Sequence, residues 1–349
     1  PGYKSNLSFS RIYDHHILFI NLLIHLFKRG DKPDLLFIGY PPIEWAMAAV
    51  IFGKLNNIPI VLDVKDLWPD IFWDKEKIPT LKKFILQFIF MPYRIYASLI
   101  ATFADYITAP TLSIADYFKK KYLNSFIKKV FFLKSTKTFP SPIVPPNENL
   151  DILNSYKEKN DPKVCLNILF LGSLMSVYDF DTVASALEIL SKKNVNYKFY
   201  IAGKGTYEQK IKNQFKKNKD VIFMGWIDRN SSIEISKKCH IAFAPYQNIL
   251  NYKLNLVNKF IDYMSLGIPV LTPLDGHVRS IIIDHKIGWS YEPNNPINLS
   301  NLLLNIINHN EDIQIRSRNA YKLYKKKYTF QIVYKNLVQN LEKINNSKF

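Results

Sequence analysis

Short apolar runs alternate with helical patterns along almost the whole chain, and this alternation restricts the possible fold more than any other sequence feature. The runs have the length of strands and few polar residues, which is typical of parallel strands covered on both faces. Because helical patterns separate them, the sequence predicts α/β domains with parallel sheets. The predicted strands are Leu35–Tyr40, Pro59–Val64, Tyr106–Pro110, Lys129–Leu133, Leu166–Gly172, Tyr197–Gly203, Val221–Gly225, Ile241–Tyr246 and Pro269–Thr272. Predicted helices in the first half are Ile43–Leu55, Thr80–Thr102 and Leu112–Tyr122.

A proline-rich segment at Pro140–Pro146 divides this alternation into two parts. The chain has 349 residues, which is long for one core and suits two domains of ordinary size. We therefore expect two doubly wound, Rossmann-like α/β domains, residues 1–145 and 146–327, with a cleft between them. Ligands of such domains bind beyond the carboxyl ends of the strands.

The segment 258–276 places a lysine, an aspartate and a turn close together. Phe260, Ile261 and Met264 recur at the spacing of a buried helix face, whereas Lys259 and Asp262 share another face. The sequence thus predicts a helix whose cation and carboxylate look out together. The alternative is a surface helix with one weak ion pair.

Glycines follow two predicted strands of the second half, at Gly172 and Gly203. Glycine at such a position lets backbone amides and a helix N-terminus approach a phosphate closely. It also ends strands without any binding role, so both interpretations stay open.

The motifs together resemble those of glycosyltransferase family 4. VLDVKDLWPD (Val61–Asp70) is similar to a segment of bacterial polysaccharide members, and the stretch Asn258–Trp289 is similar to the family's donor-binding segment. The resemblance implies a retaining sugar-nucleotide enzyme with the GT-B architecture of two facing Rossmann-like domains. It also implies that a C-terminal helix at 328–349 packs back towards the first domain. The family's first strand should precede Leu35–Tyr40, yet residues 1–32 show only a helical pattern, so we expect a first domain that is incomplete at its start.

The resemblance also implies roles for individual residues. Asp262 takes the place of the acidic residue that binds the ribose hydroxyls of the donor, and Lys259 lies where a cation can meet the diphosphate. Gly276 and His277 would lie near the sugar and the phosphates, opposite the turn that Gly172 and Ser173 form. Departure of a nucleoside diphosphate develops negative charge, which fixed cations and amides stabilise. No metal or other cofactor is therefore expected, nor a paired nucleophile and acid.

Three positions depart from the family pattern. Ser173 and Tyr178 stand where the family has an arginine and a lysine for the diphosphate, and Leu254 stands where its first glutamate would fall. Lys204 is our candidate for a replacement cation.

Two further candidates lie in the first half. Lys65 stands where many relatives have a histidine, and Asp66 follows it. We expect both at the acceptor side, with the alternative that Asp66 caps the turn at Trp68–Pro69.

The triplet at Asp179–Asp181 (DFD) matches a metal-binding pattern of the other glycosyltransferase architecture. It stands at the start of a helical pattern, where aspartates cap free N–H groups and favour the helix dipole. Capping is therefore the predicted role.

The most apolar stretch is Phe84–Phe103, which follows Lys82 and Lys83. Its central Pro92 and its aromatic residues favour a helix in the membrane interface over one that crosses the bilayer, and a core helix is the alternative. With a formal charge of +18, the functional interpretation is attachment to anionic lipid at the inner face of the cell membrane.

The partners follow from these points. Two cysteines far apart and the absence of a leader favour a cytoplasmic protein. We expect a UDP- or GDP-sugar donor and a lipid-diphosphate-linked or oligosaccharide acceptor, in cell-surface polysaccharide or glycolipid assembly. The alternatives are a non-catalytic GT-B-like binding or scaffold protein and, ranked last, a nucleic-acid-binding protein, which only the positive charge supports.

Overall fold

The computed structural model describes residues 9–74, 78–130, 135–141 and 161–346, with side chains from Tyr13 onwards. The chain forms two compact units, one of Pro1–Pro142 with Tyr334–Phe349 and one of Ile143–Val333. The predicted boundary at residue 145 and most of the predicted linker lie outside the described residues.

The first unit contains a four-stranded parallel sheet in the order β1-β2-β3-β4. Strand β2 is buried along its whole length as predicted, whereas β1 is buried only in part, with Phe37 exposed. The elements are α1 (Phe9–Lys28), β1 (Leu36–Tyr40), α2 (Ile43–Leu55), β2 (Ile60–Val64), α3 (Thr80–Ile89), α4 (Met91–Phe103), β3 (Tyr106–Ala109), α5 (Leu112–Tyr122), α6 (Ser125–Val130) and β4 (Lys137–Pro140).

Two predictions for this unit were wrong in part. Lys129 and Val130, placed in a strand, end helix α6, because the side chain of Asn124 accepts hydrogen bonds from the first amides of that helix at 3.1 Å. The rest of that predicted strand lies outside the described residues. The helix predicted at 80–102 is broken into α3 and α4, which meet at an angle of 61°, because Pro92 begins a new helix.

The second unit contains a six-stranded parallel sheet in the order β10-β9-β8-β5-β6-β7. The strands are β5 (Leu166–Leu171), β6 (Tyr197–Ala202), β7 (Val221–Gly225), β8 (Ile241–Phe243), β9 (Val270–Thr272) and β10 (Gly288–Ser290). The helices are α7 (Phe180–Lys192), α8 (Glu208–Gln214), α9 (Arg229–Lys238), α10 (Leu250–Leu254), α11 (Asn258–Ser265), α12 (His277–His285), α13 (Pro296–Asn308), α14 (Glu311–Lys327) and α15 (Phe330–Asn346), the last of which runs on into the first unit.

The chain reverses its direction across this second sheet at β5. Strands β6 and β7 follow on one side of β5, and the chain then returns to place β8, β9 and β10 on the other side. In open α/β sheets such a reversal opens a crevice at the carboxyl ends of the strands, which is where ligands bind. The expected binding position is therefore the turn that follows Leu171.

Apolar clusters cover this sheet. One cluster contains Phe170, Phe180, Phe199 and Phe243, and the other contains the buried face of α11. Phe260, Ile261 and Met264 are buried as the helical spacing predicted, and Gly267 ends the region of α11 with a φ of 60°. These clusters fix the ends of β5 and α11 next to each other.

Asp179 begins helix α7 as the predicted cap. Its carboxylate accepts from the amide of Thr182 at 3.1 Å and from the Thr182 hydroxyl at 2.6 Å. This carboxylate thus binds groups of the protein itself, as a helix cap does.

We predict that Asp179→Ala lowers the free energy of unfolding by about 1 kcal/mol, because the first turn of α7 loses its cap. Asp179→Asn is the matched control and should retain most of the stability. Urea denaturation measures both. An increase in melting temperature with Mn²⁺ that Asp179→Ala abolishes would instead support metal binding.

Candidate functional site

A pocket of about 300 Å³ opens at the carboxyl ends of β5, β6 and β7, at the crevice that the strand order creates. All of its lining residues belong to the second unit. They are Leu171, Gly172, Ser173, Ala202, Gly203, Lys204, Trp226, Ile227, Arg229, Ser232 and Asp262.

Two glycine turns form the floor of this pocket. Gly172 and Gly203 have φ values of 139° and 142°, which side chains rarely adopt. The Gly172 amide donates to Ala202 at 2.9 Å, and the Gly203 amide donates to Gly225 at 2.6 Å. A Cβ atom on Gly203 would collide with the carbonyl oxygen of Gly172. The glycines therefore permit a close approach of two backbone segments of the protein, and the approach of a phosphate to these turns stays a prediction.

Lys259 is buried behind the Gly172 turn, so the expectation that it looks outwards was wrong. Its Nζ donates to the carbonyl oxygen of Leu171 and lies 4.3 Å from the ring centre of Phe170 and 5.3 Å from that of Tyr178. A carbonyl and aromatic faces thus replace water around the ammonium group. The inward position also explains Gly172, because a Cβ atom there would collide with Nζ.

Burial lowers the pKa of Lys259 to about 7, and the charge of Asp262 opposes this effect. Burial also raises the pKa of Asp262, against the attraction of Lys259 and Arg229. The two groups predicted from the sequence are therefore electrostatically coupled. Asp262 itself lines the pocket and can accept hydrogen bonds from hydroxyl groups there.

The neighbouring Tyr263 fixes α11 to the sheet. Its hydroxyl accepts from the Leu171 amide at 3.0 Å and donates to the Phe243 carbonyl at 3.1 Å. It thus joins the ends of β5 and β8, the two strands at the reversal. One turn of helix carries Lys259, Asp262 and this bridge.

Two basic side chains line the pocket. Lys204, the predicted replacement cation, follows β6, and Arg229 begins α9 after β7. Asp228 caps that helix by accepting from the Ser231 amide at 2.8 Å. Sequence reasoning missed Arg229, although its position after the third consecutive strand end was a usable signal. It also missed Trp226, which is 70% exposed beside the pocket.

Gly276 and His277 lie outside the set of residues that line this pocket. They begin α12 beyond β9, on the same edge of the sheet. Gly276 has a φ of 71°, and a Cβ atom there would collide with the Lys253 carbonyl. Burial lowers the pKa of His277. Their predicted roles near a sugar stay predictions.

Lys65 and Asp66 lie in the first unit, after β2. The Lys65 ammonium lies 2.9 Å from the Asp63 carboxylate and 3.1 Å from the Ser141 hydroxyl. Ser141 in turn donates to Asp63 at 2.7 Å. This network holds Lys65 at the carboxyl end of its sheet. The Asp66 carbonyl accepts from the Trp68 amide at 2.9 Å, and the predicted capping of this turn by the Asp66 carboxylate stays a prediction.

The departures from the family pattern have distinct positions. Ser173 lines the pocket, Tyr178 covers Lys259, and Leu254 ends α10. Within residues 9–74, 78–130, 135–141 and 161–346, no three His, Cys, Asp or Glu side chains are grouped so that they could hold a metal ion. The pocket thus combines backbone turns, two cations and one carboxylate, a set that suits a ligand with both phosphates and hydroxyl groups.

We predict that Gly172→Ala lowers the free energy of unfolding by about 2 kcal/mol or more, because alanine is strained at this φ and collides with Lys259. Gly39→Ala is the matched control, since a Cβ atom there meets no other atom within 4 Å. In a double-mutant cycle, Lys259→Ala should reduce the cost of Gly172→Ala. If the losses of stability in the two single variants simply add in the double variant, position 172 and Lys259 are not in contact.

The lowered pKa of Lys259 predicts a pH dependence of stability. Between about pH 7 and the ordinary lysine range, the unfolded chain binds more protons at this position than the folded chain does. The contribution of Lys259 therefore becomes more favourable as the pH rises through this window. Relative to Lys259→Met, the wild-type melting temperature should increase from pH 7 to pH 10. If the difference in melting temperature between the wild type and Lys259→Met does not change with pH, Lys259 is not buried as a neutral amine.

Part of the chain matches a known protein family. Residues 152–323, about half of the chain, match the family model of the group 1 glycosyl transferases. One relative is an uncharacterised glycosyltransferase of Methanocaldococcus jannaschii, 25% identical over 166 residues that make up 47% of this chain and 44% of that protein. The match thus spans less than half the length of this relative.

Solved structures are similar over nearly the whole chain. Sucrose-phosphate synthase of Thermosynechococcus elongatus has a TM-score of 0.72 and 11% identity, covering 99% of this chain and 82% of that chain. HepE of Anabaena in complex with UDP-glucose has a TM-score of 0.64 and 12% identity, covering 93% and 82%. MnaA of S. aureus with UDP has a TM-score of 0.55 and 14% identity, covering 99% and 84%. The fold is the α/β fold with parallel sheets of GT-B glycosyltransferase structures, and the second unit carries the group 1 match.

Proposed function

We propose that the protein is a retaining glycosyltransferase that moves a hexosyl group from a nucleotide-sugar donor to a lipid-linked or glycan acceptor in cell-surface polysaccharide or glycolipid assembly. The pocket at the ends of β5, β6 and β7 carries the proposal. It joins two glycine turns with Lys204, Arg229 and Asp262 at the reversal point of a parallel sheet. The group 1 match over the same unit supports sugar transfer.

The donor would bind by its nucleoside diphosphate. The Gly172 turn and the cations Lys204 and Arg229 are suited to the diphosphate, and the Asp262 carboxylate to the ribose hydroxyls. HepE and MnaA were solved with UDP or UDP-glucose, which makes UDP-sugars the first donors to test and GDP-sugars the second.

The reaction needs stabilisation of a leaving group more than it needs a protein nucleophile. The bond from the anomeric carbon to the diphosphate breaks, and a bond to the acceptor oxygen forms on the same face. The acceptor proton passes to an oxygen of the leaving diphosphate. In our proposal Lys204 and Arg229 stabilise the negative charge that develops, without a metal ion.

Lys65 is our candidate on the acceptor side. Asp63 and Ser141 hold its ammonium group at the end of β2, where it is 43% exposed and able to meet an anionic acceptor group such as a lipid diphosphate. Asp66 stays a candidate at the same strand end.

A non-catalytic binding protein is the second candidate function. The family's diphosphate arginine and lysine are replaced by Ser173 and Tyr178, and Lys259 is bound to a carbonyl oxygen behind the pocket. Such a protein would bind a donor and never transfer its sugar.

We predict that UDP-sugars raise the melting temperature of the wild type and that Asp262→Asn weakens their binding by about tenfold to 100-fold, because a charge-assisted hydrogen bond is lost. Asp284→Asn is the matched control, since this exposed aspartate lies outside the pocket. A thermal-shift panel of UDP-, GDP-, ADP- and dTDP-sugars at fixed salt measures the effect.

Transfer is tested separately, by the release of nucleoside diphosphate with a polyprenyl-diphosphate-linked sugar as acceptor. Release that requires the acceptor supports the enzyme, and retained anomeric configuration of the product supports the retaining mechanism. Donor binding without release under all acceptors favours the binding protein. A cooperative melt that no donor shifts would remove support for both.

A further inference from the structure

Helix α3 turns its apolar face to solvent. Leu81, Phe84, Ile85 and Phe88 recur at the spacing of one helix face, and helices normally bury such a face. Here Leu81, Phe84 and Phe88 are 72%, 69% and 72% exposed, and no residue of α3 is buried. The orientation is the reverse of that of a core helix, so the core alternative does not hold for α3.

Helix α4 continues this face and also anchors it. Met91 and Ile95 are exposed, whereas Ala97, Ile100 and Ala101 on the other side of α4 are buried in the first unit. We call Leu81, Phe84, Ile85, Phe88, Ile89, Met91 and Ile95 the α3 face. It is thus an exposed apolar surface on α3 and on one side of α4, whose other side is packed.

Aromatic stacking fixes the bend between the two helices. The ring of Phe90, which lies at the bend, stacks on Phe72 at 4.4 Å between ring centres. It also contacts Trp73 at 6.1 Å and Tyr93 at 5.8 Å. The bend of 61° therefore rests on packed side chains, which hold the α3 face outwards.

The charged residues within α3 and α4 all have one sign. Lys82 and Lys83 stand between Leu81 and Phe84 in the sequence and are exposed, Lys82 beside the apolar face and Lys83 on the far side of α3, and Arg94 follows on α4. The two helices contain no Asp or Glu, so their formal charge is +3 within a chain of +18. A surface that combines aromatic and aliphatic groups with lysines matches an anionic lipid surface, where both contributions act together.

The length of the helices favours a position in the interface. No single helix among the described residues is long and apolar enough to cross a membrane, and α3 with α4 passes such a test only as a bent pair. We propose that the α3 face lies at the boundary between headgroups and acyl chains of an anionic membrane, with Lys82, Lys83 and Arg94 among the headgroups. This proposal deepens the proposed function by naming the surface that reaches lipid-linked acceptors, but it does not require transfer activity.

The test is sedimentation of the full chain with vesicles of phosphatidylcholine alone or with 30% phosphatidylglycerol, at low and high salt. The wild type should bind the anionic vesicles, and Phe84→Glu/Phe88→Glu should weaken this binding by about tenfold or more. Phe126→Glu is the matched control, because Phe126 is a phenylalanine of the same unit and as exposed as Phe88, at 72%. It should leave binding unchanged.

Lys82→Gln/Lys83→Gln separates the two contributions. This variant should weaken binding to anionic vesicles by about 25-fold and reduce its salt dependence, because each of the two lysines near the surface contributes about fivefold. Unchanged binding in both double variants, or an equal loss in Phe126→Glu, would overturn the proposal. A wild-type dimer that Phe84→Glu/Phe88→Glu converts to a monomer, without any vesicle binding, would assign the face to a second copy of the chain.

Folding and donor binding are measured on the same variants. The substituted side chains are exposed and lie in the first unit, so melting temperatures and donor-induced shifts should stay at wild-type values. If the proposed function is wrong, donors will not shift the melting temperature of the wild type. If this proposal is wrong, only the vesicle experiment will show it.

Discussion

The ammonium group of Lys259 is the constraint on which the second unit depends. It lies behind the turn at Gly172, bonded to the Leu171 carbonyl and covered by the rings of Phe170 and Tyr178. This arrangement brings the end of β5 and the start of α11 together, and a Cβ atom at position 172 would displace the ammonium group. The position of Lys259 and the φ of 139° therefore both favour glycine at this turn.

Much of the fold could be predicted because buried parallel strands consist of apolar runs, which are visible in the sequence. The strands Gly288–Ser290 and Lys137–Pro140 were missed because the first has three residues and the second begins with polar side chains. The break near Pro92 was missed because apolar spacing continues across it. The pairing of strands decided the first two cases and the backbone chemistry of proline the third. The periodicity of apolar residues gives no information on either.

The candidate site was predicted in part for the same kind of reason. Gly172, Ser173 and Lys204 line one pocket because strand ends of a parallel sheet meet at one edge, and Asp262 lines it from helix α11. The spacing of Lys259 and Asp262 shows which face they share, but not that a cage of aromatic rings turns the lysine inwards. Helix α3 shows the opposite case. Its spacing identifies an apolar face, but the spacing does not show that this face is exposed, because its exposure depends on how α4 packs.

The position of Lys259 links anion binding to the uptake of protons. Because burial lowers its pKa to about 7, a part of the folded molecules lacks the charge on this side chain near neutral pH. An anion bound in the pocket beside the Gly172 turn would favour the charged form, so binding would draw protons from the solution. The heat of binding would then depend on the ionisation enthalpy of the buffer, and the affinity for the anion would fall as the solution becomes alkaline.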